Sequence, residues 1–72
     1  MTTFGERIEN LRTQRNLSRK AAAHDLGIPQ SRYSELERGV RVPTEGQVER
    51  MAKYYEADAG ELTTLASQII GH

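Results

Sequence analysis

Residues 19–39 read RKAAAHDLGIPQSRYSELERG. The pattern describes two short helices and a tight turn. Ser18 precedes it, and a serine there accepts from the orphan N–H groups of a first helical turn. Ala22, Ala23 and Leu26 recur at helical spacing, and the alanines let another helix come close. Gly27 stands where this helix must end, because glycine adopts the left-handed backbone of a helix terminus without a steric cost. Ile28 is apolar and can plug the corner. Pro29 has no N–H to donate, so it suits a helix start and not a helix interior. The next helix, residues 30–38, turns Tyr33, Leu36 and Glu37 inward. Gln30, Ser31, Ser34 and Glu35 point elsewhere, and Gly39 closes the helix.

The flanking sequence adds three more helices. Thr3-x-x-Glu6 is a capping box, in which each side chain satisfies the other residue's backbone N–H. It opens a helix over residues 4–15 with Phe4, Ile8 and Leu11 on one face. Asn16 breaks that pattern and tolerates a left-handed backbone. Leu17 can staple onto Ala22. Thr44-x-x-Gln47 is a second capping box, and Pro43 before it blocks a continuous helix. Residues 45–55 carry an apolar stripe of Val48, Met51, Ala52 and Tyr55. Asp58-x-x-Glu61 is a weaker start signal for a last helix over residues 59–70. That helix carries Leu62, Leu65, Ala66, Ile69 and Ile70, with Gly71 as its end. No repeat, low-complexity segment or strand candidate is present. The expected architecture is an all-α bundle of five short helices, one domain over residues 1–72.

A chain of 72 residues is small; such a domain buries only about 60% of its extended surface. Hydrophobic content is 36%, and no apolar run approaches the ~18 residues of a membrane span. The N-terminus lacks a basic segment followed by an apolar one, so no signal peptide is expected. Cysteine is absent, which removes disulfides and thiolate metal sites. The expectation is a cytoplasmic protein with no cofactor and no metal. No HExxH, GxxxxGK[ST] or GxSxG occurs, and Asp25 beside His24 makes no dyad, because helix neighbours do not face each other. No enzyme is expected. Formal net charge is zero, yet the charge is split. Residues 1–43 hold eight Lys/Arg against five Asp/Glu, and residues 44–72 hold two against five.

Two short helices joined by a glycine-containing turn form a helix-turn-helix signature. From Phe4 to Leu62 the sequence resembles the Cro and lambda-repressor-like, or Xre, helix-turn-helix regulators. The residues that carry the resemblance are FGERIENLR, NLS, LGIPQSRYSELERG, VP and MAKYY-x-x-x-x-x-EL. The resemblance implies a five-helix lambda-repressor-like domain with the motif at helices 2 and 3, helix 3 being the recognition helix. It implies sequence-specific binding of double-stranded DNA as a homodimer on palindromic sites. It also implies an ion pair between Arg12 and Glu37. Three positions depart from the family pattern: Arg19 stands where Gln is common, Pro29 where Ser or Thr caps helix 3, and Tyr33 where Ile or Val is usual.

The first residues of a recognition helix reach base edges first. Gln30 and Ser31 are therefore base-reading candidates, and Gln matches adenine geometrically. Ser34 and Glu35 lie one turn on; Glu35 can accept from cytosine N4, can orient Arg32 or Arg38, or can act as a repulsive element that rejects wrong sequences. Arg32 can read guanine or hold a phosphate. Arg19, Arg38 and Arg41 flank the groove as phosphate contacts. Arg7, Arg15 and Lys53 read as solubilising charge, and Tyr33 reads as core. Leu65, Ile69 and Ile70 form an apolar end to the last helix; Ile69 and Ile70 come too late to serve the core, so they are assigned to dimerisation. The rival reading is a protein-interaction module on the same fold, antitoxin-like or anti-repressor. Control could come through concentration, dimerisation or a regulatory protein partner.

Overall fold

The computed structural model describes residues 2–70 and, for Ile70, the backbone alone. Five helices follow one another: α1 (Phe4–Gln14), α2 (Arg19–Leu26), α3 (Gln30–Arg38), α4 (Glu45–Tyr54) and α5 (Ala59–Ile70). There is no strand among the described residues. Arg15 and Tyr55 are end caps and not helical residues, one position short of the sequence expectation. Gly71, the expected end of α5, lies outside the described residues, as does the Ile70 side chain.

The helix starts follow local side-chain chemistry. Thr3 accepts from the Glu6 N–H at 3.1 Å, and Glu6 accepts from the Thr3 N–H at 3.0 Å. Thr44 and Gln47 do the same for α4. Ser18 accepts from the Ala21 N–H at 3.0 Å. Pro29 caps α3 with no side-chain bond.

One device ends the first four helices. Asn16, Gly27, Gly39 and Glu56 have left-handed backbones, with φ of 57°, 72°, 79° and 53°. The next residue's N–H then reaches back to a carbonyl five residues earlier. The bonds run from Leu17 to Arg12, Ile28 to Ala23, Val40 to Glu35 and Ala57 to Ala52, at 2.8–3.3 Å. This satisfies carbonyls that a helix end would leave orphaned. Leu17, Ile28 and Ala57 fold back against the core. Val40 does not: it is 64% exposed.

The core draws on every helix. Phe4, Ile8, Ala22, Leu26, Tyr33, Leu36, Met51 and Leu62 are at most 1% exposed. Helix α3 rests on α1 and α2, while α5 covers α1 and α4. Leu65 and Ile69 are partly buried and pack on this core. The idea that Ile69 comes too late for the core is thereby corrected. Leu62, Leu65, Ala66 and Ile69 continue a single helical face. Near α5's last turn, Leu65 and Ile69 line a groove with Phe4, Gly5 and Gly39.

Tyr33 occupies the interior fully, and its hydroxyl hydrogen-bonds that of Tyr55. Burial, then this bond, pushes the Tyr33 hydroxyl far above its ordinary range, and burial raises Tyr55 as well. Tyr54 is pushed up to about 12 by burial and by its bond to Asp25.

Arg7 and Arg15, read from sequence as solvated, tie the two halves of the chain together. Arg7 Nε lies 3.3 Å from Glu61 Oε1. Arg15 Nη2 lies 3.4 Å from Glu56 Oε2, and its Nη1 donates to the Tyr54 carbonyl at 3.2 Å. Their guanidinium groups are long enough to cross the helix interface, which a linear charge pattern does not reveal. Exposed pairs of this kind each add at most about 1 kcal/mol.

The tyrosines predict alkaline sensitivity. Their folded-state affinities for the proton exceed that of the unfolded chain. The stability they contribute is complete below about pH 10 and lost above it, at roughly 1.4 kcal/mol per pH unit for each tyrosine. Circular dichroism and tyrosinate absorbance followed together should show the helical signal and the protonated forms of the buried pair, Tyr33 and Tyr55, disappearing in one transition. Ionisation of all three tyrosines in a still fully helical protein would contradict this.

Candidate nucleic-acid interface

Helix α2, the turn at residues 27–29 and α3 form a rigid corner. The Gly27 N–H bonds to the His24 carbonyl, and the Ile28 N–H to that of Ala23. Ile28 is 8% exposed and fills the angle. Arg50 Nη1 donates to the Leu26 carbonyl at 3.1 Å, so α4 also grips the end of α2.

The inner face of α3 is held by Glu37. Its side chain is 1% exposed and takes three N–H donors. Arg12 Nε donates to Oε2 at 2.7 Å and Arg12 Nη2 to Oε1 at 3.3 Å. Arg19 Nε donates to Oε1 at 3.0 Å. Arg12 Nη1 spends a further bond on the Leu17 carbonyl at 2.6 Å. One carboxylate thus joins α1, α2 and α3, and the hydrogen bond from Arg12 to Glu37 raises the guanidinium's affinity for its proton. Two-pronged Arg–carboxylate bonding fixes orientation as well as distance.

Gly5 allows this approach. A β-carbon there would overlap the Glu37 carbonyl oxygen and fall 2.8 Å from that of Leu36. The α1 backbone therefore lies directly on the last turn of α3.

The outer face of α3 is different. Gln30, Ser31, Arg32 and Arg38 are exposed, while Ser34 and Glu35 are half-buried. Among the described residues, Arg32 and Arg38 make no ion pair. Glu35 does: its Oε1 lies 2.7 Å from Arg41 Nε. That bond, with Arg32 and Arg38 nearby, holds the Glu35 carboxyl below the usual carboxylate range.

A helix-turn-helix domain model matches residues 3–65. The chain belongs to this helix-turn-helix family. It is 31% identical over 61 residues to the cryptic phage CTXphi transcriptional repressor RstR of Vibrio cholerae, an alignment covering 85% of this chain and 55% of that protein. The chain therefore spans about half the length of this curated relative. No solved structure matches.

Within this helix-turn-helix domain, the candidate residues fall into distinct environments. Gln30, Ser31 and Arg32 share the open start of α3, and Arg38 lies at its end. Arg19, read as a phosphate contact, spends its Nε on Glu37 and places Nη2 3.9 Å from Glu9. Arg41, read likewise, is bonded to Glu35, a partner that the sequence reading did not name for it. Asp25 accepts from the Tyr54 hydroxyl at 2.6 Å, a tie with no sequence signal. His24 Nδ1 lies 3.6 Å from Asp25 Oδ1, closer than helix neighbours were expected to come. Among the described residues no cluster of His, Asp or Glu gathers to hold a metal, and no helix is long and apolar enough to cross a membrane.

Two substitutions test how α3 is seated. Glu37→Ala leaves Arg12 buried without its partner, and thermal unfolding should show a loss of about 3 kcal/mol or more. An unchanged melting point would refute the anchoring role. Gly5→Ala must push α1 off α3, at a cost of about 1–3 kcal/mol; a chain as stable as the parent would mean that the close approach is not needed.

Proposed function

We propose that this chain is a transcriptional regulator, a repressor, that binds double-stranded DNA sequence-specifically through α3 in the major groove. The observation that carries the reading is the division of α3 into two faces. One is locked to α1 and α2 by Glu37 and by the core residues Tyr33 and Leu36. The other presents Gln30, Ser31 and Arg32, with Arg32 and Arg38 unpaired among the described residues. Family membership and the similarity to a phage transcriptional repressor support it.

In this reading Gln30 and Ser31 meet base edges, Arg32 meets a base or a phosphate, and Arg38 grips the backbone. Arg19 contributes its remaining N–H groups beside the start of α2, where helix N-termini favour phosphates. The chain acts as a homodimer on palindromic operators, with half-site centres ~34 Å or a multiple apart. The α5 surface around Leu65 and Ile69, which the core leaves partly exposed, forms the dimer contact. Phosphate contacts supply much of the affinity, so salt weakens binding.

A gel shift with genomic fragments at low salt tests the reading, since an interaction module that has lost DNA binding would shift none. For the specific complex, Gln30→Ala should cost about 1–3 kcal/mol at one or two symmetric base positions. An equal loss on every sequence would instead place Gln30 on the backbone.

A further inference from the structure

We propose that Arg41 is a positioning residue for base selection: it holds Glu35 on the exposed face of α3 to accept from an exocyclic amine, cytosine N4 foremost, and is not itself a phosphate clamp. The proposal rests on the DNA-binding reading and adds which residue sets one step of its selectivity.

Three observations carry it. The first is the bond itself. Arg41 Nε meets Glu35 Oε1 at 2.7 Å, closer than the exposed Arg7–Glu61 and Arg15–Glu56 pairs at 3.3 and 3.4 Å.

The second is how the chain delivers Arg41. Gly39 ends α3 with φ 79°, and the Val40 N–H bonds back to the carbonyl of Glu35 at 3.1 Å. This closure returns the chain to the residue whose side chain Arg41 then holds. The same closure ends α1, α2 and α4, where the residue that makes the back-bond folds onto the core. After α3 that residue, Val40, stays exposed, as does Val42, so the segment around Arg41 remains at the surface beside α3.

The third is the choice of partner. Arg32 and Arg38 lie three residues either side of Glu35 on the same helix, spacings at which helical charges usually pair. The carboxylate bonds to Arg41 instead. Arg32 and Arg38 are left for DNA.

The chemistry follows. A carboxylate in the major groove accepts from the amines of cytosine and adenine and is repelled by the O6 and N7 of guanine and the O4 of thymine. Next to phosphates, a lone carboxylate would also oppose binding. Arg41 offsets that charge and restricts Glu35 to few rotamers while leaving the second carboxylate oxygen free to accept. The two side chains are 43% and 37% exposed, so the pair adds little to folding.

The test begins with selection from a randomised DNA pool by the intact chain. Binding is then measured by fluorescence anisotropy over a salt series for the parent, Glu35→Gln, Arg41→Ala, Arg41→Lys and the double variant Glu35→Gln/Arg41→Ala. The base pair facing Glu35 is the one at which Glu35→Gln changes preference. There, Arg41→Ala should reduce discrimination about 5- to 150-fold. It should do nothing further in the Glu35→Gln background, and Arg41→Lys should restore part of the effect. The free proteins should melt together, and the slope of log K against log salt should stay near the parent's. Uniform weakening on all sequences, with a slope reduced by about 0.9, would identify a phosphate clamp and overturn the proposal. Additive effects in the double variant, or a clear fall in melting point for Arg41→Ala, would overturn it as well. A pool that shows no enrichment would refute the DNA-binding reading, and the proposal with it.

Discussion

The carboxylate of Glu37 sits between two guanidinium groups, from Arg12 and Arg19, almost out of reach of water. Such a charge costs several kcal/mol to desolvate, and only good geometry and full hydrogen bonding offset that cost. Here Arg12 donates twice and Arg19 once, and no buried side-chain N or O atom among the described residues lacks a partner. What the arrangement gives in return is orientation. Helix α3 has nine residues, and only Tyr33 and Leu36 anchor it by apolar burial. Two apolar contacts leave such a short cylinder some freedom to roll. A two-pronged ion pair does not. With 3.6 residues per turn, fixing the azimuth of Glu37 fixes that of Gln30, Ser31 and Arg32.

Everything around α3 serves that seat. Gly5 removes the side chain that would hold α1 away. Tyr33 uses its ring to fill the interior and its hydroxyl to reach Tyr55, so one large side chain ties α3 to the end of α4. Arg50 holds the last carbonyl of α2. The outcome is a helix rigid on its inner face and free on its outer one. Local rigidity of this kind is what base recognition requires, because a displacement of an ångström breaks a hydrogen bond to a base edge.

Charge works on two scales. The formal total is zero, but the basic and acidic halves are joined internally: Arg7 reaches Glu61 and Arg15 reaches Glu56. These bonds consume arginines that lie away from α3. Lys20, Arg32 and Arg38 make no ion pair among the described residues, and they lie on α2 and α3. Neutrality overall is therefore compatible with a positive field at one surface, and it is the surface that an approaching polyanion meets.

Most of the helical framework was legible in the sequence. Capping boxes at Thr3 and Thr44, the Ser18 cap, glycines at 27 and 39, and apolar spacing at 3.6 residues are all short-range signals, settled within a turn or two of chain. The left-handed Glu56 escaped because glutamate is no usual former of that conformation. The link between Arg12 and Glu37 spans 25 residues and came from resemblance to a family, not from spacing. What only the tertiary structure decided is the partnership of long polar side chains: Arg19 with Glu37, Arg41 with Glu35, Arg15 with Glu56, Tyr54 with Asp25. Periodicity shows which face a residue is on. It does not show which charge stands across from it, because an arginine can reach several partners, and helix packing and chain reversal at Gly39 determine which one comes within hydrogen-bonding distance.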